Sequence, residues 1–578
     1  MGLARRPRQV TDARTRVTPN ARRFGAAGVA TAALVLALAA CTPIEPHPTP
    51  DVAIDLLQQD WRNVPGISAD DSGLSVTSTG RQIVDQDGGG GRPDPPVDLA
   101  GTHLVSDGDF VISATIENAT ADATLAIYDS PPVIADEFRI EPPGLRLTLR
   151  GDQLQVDVLD GSPQDTQPAQ TETVPLSDPE AELGVSRTGD RIEISSAGDV
   201  VVSLLHAAVF DSGTLWLGLS SADGSFTVSS FTAAASAGAS LTTAGPIAAH
   251  AERSSNGLQT LASRARPGFL VGAAAALGPL AADADYAGAL IRDFGAVTPE
   301  NAMKPQALSP RQGEYTFEEA DALLDLAESK GIAVHGHTIA FSEAMPSWMR
   351  DLPADTEQER LDSGAILLDY VTTVVTHFAG RLHSLDVVNE PFDVDQSTRL
   401  QQNIWYRVFG PAYPVVVSQA VHDADPAVLQ FINENGADVP GERQDALREL
   451  ALETNRQGGH IAGVGLQSHV YDLDTDAISA EDLETTLEAF GDAGLTVRIS
   501  ENDVPDSEGE RVQADQFATI LRTCIRSVTC VSYTTWGVDD RYDWFLGDDG
   551  TPEQGHDLLF DDGEPTPAYQ ALRDVLDG

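Results

Sequence analysis

Two rhythms of apolar and polar residues divide the chain. From about residue 61 to 235, short runs alternate with period two between Gly- and Asp-containing turns. Phe110-Val111-Ile112-Ser113-Ala114-Thr115-Ile116, Ala123 to Tyr128 and Leu145 to Leu149 read as strands. Arg150-Gly151-Asp152 then turns into the clean alternation Leu154-Gln155-Val156-Asp157-Val158. Thr188-Gly189-Asp190 turns into Arg191-Ile192-Glu193-Ile194, and Thr214 to Leu219 leads through Ala222-Asp223-Gly224 to Phe226-Thr227-Val228. Many short strands with hardly any helical period predict a sandwich or barrel over 61–235. Residues 236–257 are rich in Ala, Ser, Gly and Thr and read as a linker.

From residue 258 strands alternate with helices. Strands are predicted at Phe269 to Gly272, Ala296 to Thr298, Ile332 to Thr338, Leu385 to Asn389, Leu429 to Asn433, Ile461 to Ser468, Thr496 to Glu501 and Val531 to Trp536. Between them lie amphipathic segments such as Phe317 to Lys330 and Leu361 to Phe378, the latter stopped by Gly380. Eight strands interleaved with helices over 258–578 predict a (β/α)8 TIM barrel. The chain is thus a multidomain protein, with an all-β region before the barrel. The all-β layout is similar to a concanavalin-like jelly-roll sandwich, which implies a spacer or a carbohydrate-binding domain. Trp61, Tyr128 and Trp216 are its candidate glycan platforms, although Trp216 sits in an apolar strand and reads as core.

The N-terminus carries a third pattern. Arg22 and Arg23 precede the apolar run Phe24 to Ala40, which is marginal for a bilayer span and ends in small residues. Residues 1–40 therefore read as an export signal. Leu38-Ala39-Ala40-Cys41 resembles the lipobox of bacterial lipoproteins, which implies lipidation of Cys41 and anchorage at the outer face of a membrane. An ordinary secretory signal and an uncleaved anchor are the alternatives, and all three place the bulk of the chain outside the cytoplasm. Residues 41–60, with Pro43, Pro46, Pro48 and Pro50, read as an extended tether. Beyond Cys41 the chain has only Cys524 and Cys530, for which a local disulfide is expected in an oxidising compartment.

The formal net charge of −52 argues against nucleic acid and anionic lipid surfaces as partners. The chain has two lysines, Lys304 and Lys330, so a lysine within a motif stands out.

Polar residues accumulate where the predicted barrel strands end. The second strand leads into Thr298-Pro299-Glu300-Asn301-Ala302-Met303-Lys304, and the third ends in His335-Gly336-His337-Thr338. Asn389 and Glu390 follow the fourth, Asn433-Glu434-Asn435 the fifth, and Gln467-Ser468-His469 the sixth. The seventh ends in Glu501 and Asp503, and the eighth in Thr535-Trp536-Gly537. Barrel active sites are built at this end, and two glutamates on two strand ends are the parts needed for retaining glycoside hydrolysis. Asp472, Asp474 and Asp476 begin like a calcium loop. Ala477 holds the glycine position and Leu483 the twelfth, so no metal is expected.

Thr298 to Lys304, Gly336-His337-Thr338, Asp386 to Glu390, Gly463 to His469, Ser500 to Asp503 and Trp536-Gly537-Val538 resemble the motifs of glycoside hydrolase family 10. The resemblance covers 258–578 and implies a retaining endo-β-1,4-xylanase without a cofactor. It implies that Glu390 is the general acid/base and Glu501 the nucleophile. Asn389 would bond the 2-hydroxyl at the cleavage site, and His469, oriented by Asp503, would hold Glu501. Asn301, Lys304, His337 and Gln467 would bind glycone hydroxyls with Glu300 in support, and Trp536 and Trp544 would stack on sugars.

The run Ile339-Ala340-Phe341-Ser342-Glu343-Ala344 departs from the family pattern. Phe341 stands for a tryptophan, Ser342 for a histidine and Ala344 for a glutamine that contacts the second glycone sugar. Glu434 and Asn435 replace the usual Asp-Tyr after the fifth strand, and Thr566 stands for a lysine. These changes leave two alternatives: a xylan-binding surface lipoprotein with little or no catalysis, and a glycanase acting on a decorated or different β-glycan.

Overall fold

A computed structural model describes residues 251–393, 398–542 and 556–578, and the strands of 53–244 with some of their connections. The all-β region is two antiparallel sheets. One runs Asp199–Leu205, Arg191–Ser196, Leu183–Thr188, Phe110–Glu117, Ser225–Ala235, Gly73–Thr77, Ile67–Asp70. The other runs Gln170–Pro175, Gln153–Leu159, Gly144–Arg150, Ala123–Tyr128, Thr214–Ser221, His103–Ser106, Leu241–Ala244. The period-two pattern explains the burial. Ile112, Ala114 and Ile116 of one sheet and Leu125, Ile127, Val156 and Val158 of the other enter a common apolar core. Gly151 and Gly189 take the positive φ, +62° and +55°, that their tight turns require.

Both boundaries of the all-β region lie further out than the sequence suggested. Ile54–Asp55, inside the stretch read as tether, pairs with Ala233 and Thr232. Leu241–Ala244, inside the stretch read as linker, pairs with His103–Ser106 at a sheet edge. Edge strands bury little, so a short run such as Leu-Thr-Thr-Ala can pair without an apolar signature. The remaining described part of the linker is fastened to the barrel: Lys330 Nζ donates to the Ala251 carbonyl at 2.7 Å and Arg253 Nη1 to the Phe294 carbonyl at 2.8 Å. Tyr128 and Trp216 are opposite each other across the second sheet and buried, so neither is an exposed glycan platform. Trp61 and Cys41 lie outside the described residues, as does the run 24–40. No helix among the described residues is long and apolar enough to cross a membrane.

The second region is a closed parallel barrel of eight strands. They are β1 Leu270–Ala275, β2 Ala296–Pro299, β3 Ala333–Gly336, β4 Ser384–Asn389, β5 Leu429–Glu434, β6 Ile461–Leu466, β7 Thr496–Asn502 and β8 Cys530–Thr535. Each prediction falls on one of these, and the helices follow suit. Helix Glu318–Lys330 buries Ala320, Leu323, Leu324 and Ala327 and ends at Gly331, whose φ of 62° a glycine adopts without penalty. Helix Glu357–His377 opens with a capping box between Thr356 and Glu359. Cys524, at the end of helix Glu510–Arg526, is disulfide-bonded to Cys530 at the start of β8, with Cα atoms 5.2 Å apart.

Candidate active site

The C-terminal ends of the barrel strands bring the expected residues together around two glutamates. Glu390 directly follows β4 with φ of 48°, a left-handed conformation that costs a non-glycine residue about 1–2 kcal/mol. Its backbone N–H donates to the Asn433 carbonyl at 2.9 Å, which ties the turn to β5. Gln467 Nε2, from the end of β6, donates to Glu390 Oε1 at 2.8 Å. Glu501 near the end of β7 is buried, and its N–H donates to the Gln467 carbonyl at 3.0 Å. One glutamine thus touches both strands that carry the carboxyls.

Two devices hold Glu501. Asn433 Nδ2 donates to Glu501 Oε1 and, at 2.8 Å, to Asn389 Oδ1, while Ser500 Oγ donates to Asn433 Oδ1 at 2.7 Å. On the other side His469 Nε2 lies 3.3 Å from Glu501 Oε2, and its Nδ1 lies 2.7 Å from Asp503 Oδ2. Asn433 sits at a strand end of polar residues, but its link between Asn389 and Glu501 depends on three strands meeting. That is why the sequence assigned it no role.

The environments push the two carboxyls in opposite directions. Burial, then the neighbouring Glu343 carboxylate, raise Glu390 to about 7, with Glu501 adding to the rise and Gln467 opposing it. Burial would also raise Glu501, but the bonds and charge of His469 and the nearby His337 pull it below its ordinary value. Burial alone would depress His469; Asp503 and Glu501, both bonded to its ring, hold it well above its ordinary value. One carboxyl therefore keeps a proton near neutrality beside another that has lost it.

The remaining predicted residues that the structure describes follow β2, β3 and β8. His337 is buried, its Nδ1 3.0 Å from Asp386 Oδ2, and its ring meets Trp536 edge to face at 5.2 Å. Asp386 also contacts His335 Nε2 at 2.8 Å, so the carboxylate inside β4 orients His335 of β3 and His337 just beyond it. Lys304 and Glu300 are buried, and Asn301 Nδ2 donates to Glu300 Oε1 at 3.3 Å. Trp544 lies outside the described residues. The departing residues have structural consequences. Phe341 is buried with its ring 6.4 Å from that of His337, Ala344 is buried, and Ser342 Oγ donates to Gln401 Oε1 at 2.5 Å. Gln401 in turn donates to the Phe392 carbonyl, so the β3 loop braces the segment following Glu390.

Glu434 ends β5 in a buried ion pair, 2.9 Å from Arg443 Nη1, and accepts the backbone N–H groups of Phe392 and Asn435. Burial and Glu390 push it up to about 8, against the pull of Arg443. Among the described residues, one grouping has metal-ligand chemistry: Asp540, His556 and Asp561, two of them exposed. It contains none of the site residues above. Asp472 of the aspartate run instead caps a turn, accepting from the Asp474 N–H at 2.8 Å, and Leu483 is buried in the following helix.

A closed eight-stranded parallel barrel that gathers paired carboxyls, amides and imidazoles at its strand ends is the build of a barrel glycosidase. The comparisons give the family: the chain belongs to glycosyl hydrolase family 10, whose model matches residues 258–575. The protein is therefore a glycoside hydrolase. Endo-1,4-beta-xylanase B of Thermotoga neapolitana is 30% identical over 293 residues, 50% of this chain and 82% of its own. An endo-1,4-beta-xylanase of Agaricus bisporus is 30% identical over 297 residues, 50% of this chain and 86% of its own. Native xylanase 10B from Thermotoga maritima superposes with a TM-score of 0.51 at 29% identity, covering 56% of this chain and 98% of that one. Xylanase 10B from Thermotoga petrophila RKU-1, solved in complex with xylobiose, has the same score and identity and covers 56% of this chain and 97% of that one.

Proposed function

We propose that the protein is a retaining endo-1,4-β-xylanase that cleaves xylan by double displacement at Glu390 and Glu501. The observation that carries this is the opposed tuning of two carboxyls on β4 and β7, one raised to about 7 and one lowered. In the first step Glu501 Oε attacks the anomeric carbon while the Glu390 proton passes to the leaving glycosidic oxygen. In the second, ionised Glu390 takes a proton from water, whose oxygen displaces Glu501 from the anomeric carbon. Retention by this route calls for carboxyls about 5–5.5 Å apart. Asn389, aligned by Asn433, bonds the 2-hydroxyl, and His469 and Asp503 keep Glu501 ionised and oriented. Asn301, Lys304, His337 and Gln467 bind the glycone sugars with Glu300 behind them; Trp536 and Trp544 supply apolar faces. Asn301 Oδ1 is buried and makes no hydrogen bond among the described residues, which suits it to accept one from a sugar hydroxyl.

Reducing-sugar release from xylan by the parent and by Glu501→Ala is the direct test. Loss of activity by about 10⁴-fold or more in the variant, with a 2-fluoro-xylobioside trapped covalently on the parent, is the expected result. An inactive parent that binds xylan as well as Glu501→Ala does would instead favour a capture protein.

The smaller side chains of Phe341 and Ala344 favour tolerance of decorated chains. Arabinose-substituted xylan is then cleaved at least as well as plain xylan; a strong preference for the plain polymer contradicts this. Export and a lipid anchor at Cys41 complete the proposal and place the enzyme at the cell surface. Cys41→Ala then moves the protein from the membrane fraction to the medium.

A further inference from the structure

Two of the residues that touch the paired carboxyls stand on either side of a strained one. Gln467 bonds Glu390 and His469 bonds Glu501, and the buried Ser468 between them has φ of 60°. A serine adopts this left-handed region only where its surroundings hold it there. The ladder between β6 and β7 brackets the turn. The Glu501 N–H donates to the Gln467 carbonyl at 3.0 Å and the Val470 N–H to the Asp503 carbonyl at 3.2 Å. Ser468 lies between these two rungs, where its backbone angles set the relative directions of Gln467 and His469.

Side chains from two other strand ends grip Ser468. Its hydroxyl donates to Asp438 Oδ1, in the segment after β5. Its carbonyl accepts Nδ2 of Asn502, the last residue of β7, at 2.8 Å. The other end of that amide is fixed as well, because Asn502 Oδ1 accepts the hydroxyl of Tyr533, in β8, at 2.6 Å. Asn502 and Tyr533 are both fully buried. A buried carbonyl needs a donor, and a buried amide needs partners at both ends. Asn502 meets both needs at once. It lies between Glu501 and Asp503 in sequence, and it engages its amide with β6 and β8 rather than with either neighbour's carboxyl.

We infer that Asn502, locked by Tyr533, is a positioning residue that holds the Ser468 turn so that Gln467 and His469 meet the two carboxyls. It acts on both carboxyls through one turn, whereas Asn433 bonds Glu501 directly. The inference rests on the double displacement at Glu390 and Glu501 proposed above and names a part of its support. Loosening the turn has a signed consequence. The Gln467 bond lowers the pKa of Glu390, and the His469 bond lowers that of Glu501. As both bonds weaken, both carboxyls rise. The other charges facing the pair stay in place: Glu343 and Glu434 at Glu390, and His337, Asp386 and Arg498 at Glu501.

The experiment measures pH profiles of kcat/KM for xylohexaose on the full chain, in the parent and two variants. Asn502→Leu keeps the volume and removes both bonds of the amide; Tyr533→Phe keeps the ring and removes only the lock. In Asn502→Leu, kcat/KM at neutral pH is expected to fall about 10- to 100-fold, and both limbs of the profile move to higher pH. Tyr533→Phe shows a smaller fall and a smaller shift in the same direction. Limbs that stay in place or move down overturn the inference, because lost activity without a shift makes Asn502 a residue of general stability. Where Asn502→Leu does not fold, Tyr533→Phe decides by the same criterion. A parent that does not cleave xylohexaose overturns the xylanase reading and this inference together. An active parent whose limbs are shared by both variants overturns this inference alone.

Discussion

Glu390 shows how much of the chemistry rests on individual neighbours. A buried carboxyl beside a second carboxyl resists ionisation, and Glu343 contributes to that resistance although it belongs to the run that departs from the family pattern. On the proposed mechanism Glu390 enters the reaction protonated, so kcat/KM is expected to fall as pH rises through about 7. On the same mechanism Glu501 enters ionised, and with its pKa lowered the acid limb lies below the ordinary glutamate value. Glu343→Gln removes one negative charge, so the pKa of Glu390 drops and the basic limb moves to lower pH while the acid limb stays. A pH–rate profile of parent and variant decides this, and a basic limb that does not move would show that Glu343 is screened by solvent. The glutamates themselves were legible, since a carboxylate after a buried strand is conspicuous. Asn433 was not. Its place is set by a contact with a side chain 68 positions further along the chain, which no local pattern encodes.

At the scale of elements, the strand ends are coupled by polar side chains in buried places. The Glu434–Arg443 pair joins β5 to helix Glu442–Arg456, and Glu434 also accepts the Phe392 N–H just beyond Glu390. Where Glu434 is ionised, above about pH 8, removing only the cation strands a buried carboxylate. In that range Arg443→Met is expected to lower stability by about 3–5 kcal/mol, read from the denaturation midpoint. A loss below about 1 kcal/mol would mean that Glu434 accepts a proton without consequence. The pH dependence has a definite sign. In the parent, Glu434 is raised to about 8 from an ordinary 4.5, so its contribution to stability is greatest at low pH and declines as pH rises between those values. In Arg443→Met the folded-state value rises further, so the decline extends to higher pH than in the parent. The eight barrel strands were readable because each pairs a short apolar run with a polar end. The edge strands Ile54–Asp55 and Leu241–Ala244 were missed because pairing at an edge needs few apolar residues.

For the whole molecule, a formal charge of −52 sets the behaviour in solution. Like charges on a compact surface repel, and salt screens them over about 10 Å at 0.1 M. The melting temperature is expected to rise as NaCl increases from about 0.02 to 0.5 M, with most of the gain in the first part of the range. A melting temperature that falls with salt would show that attractive surface pairs such as Arg381 with Asp321, Asp325 and Glu328 outweigh the repulsion.

By itself the sequence determined that the chain joins an all-β region to a (β/α)8 barrel, and that two glutamates stand at the ends of the fourth and seventh barrel strands. These are matters of local period and of residue type at strand ends, which neighbouring residues encode. Only the tertiary structure decided how the carboxyls are tuned, which amide joins Asn389 to Glu501, where each region begins and ends, and that Tyr128 and Trp216 are buried. Those properties follow from burial and from distances between elements far apart in the chain, and neither exists until the barrel closes and the sheets pair.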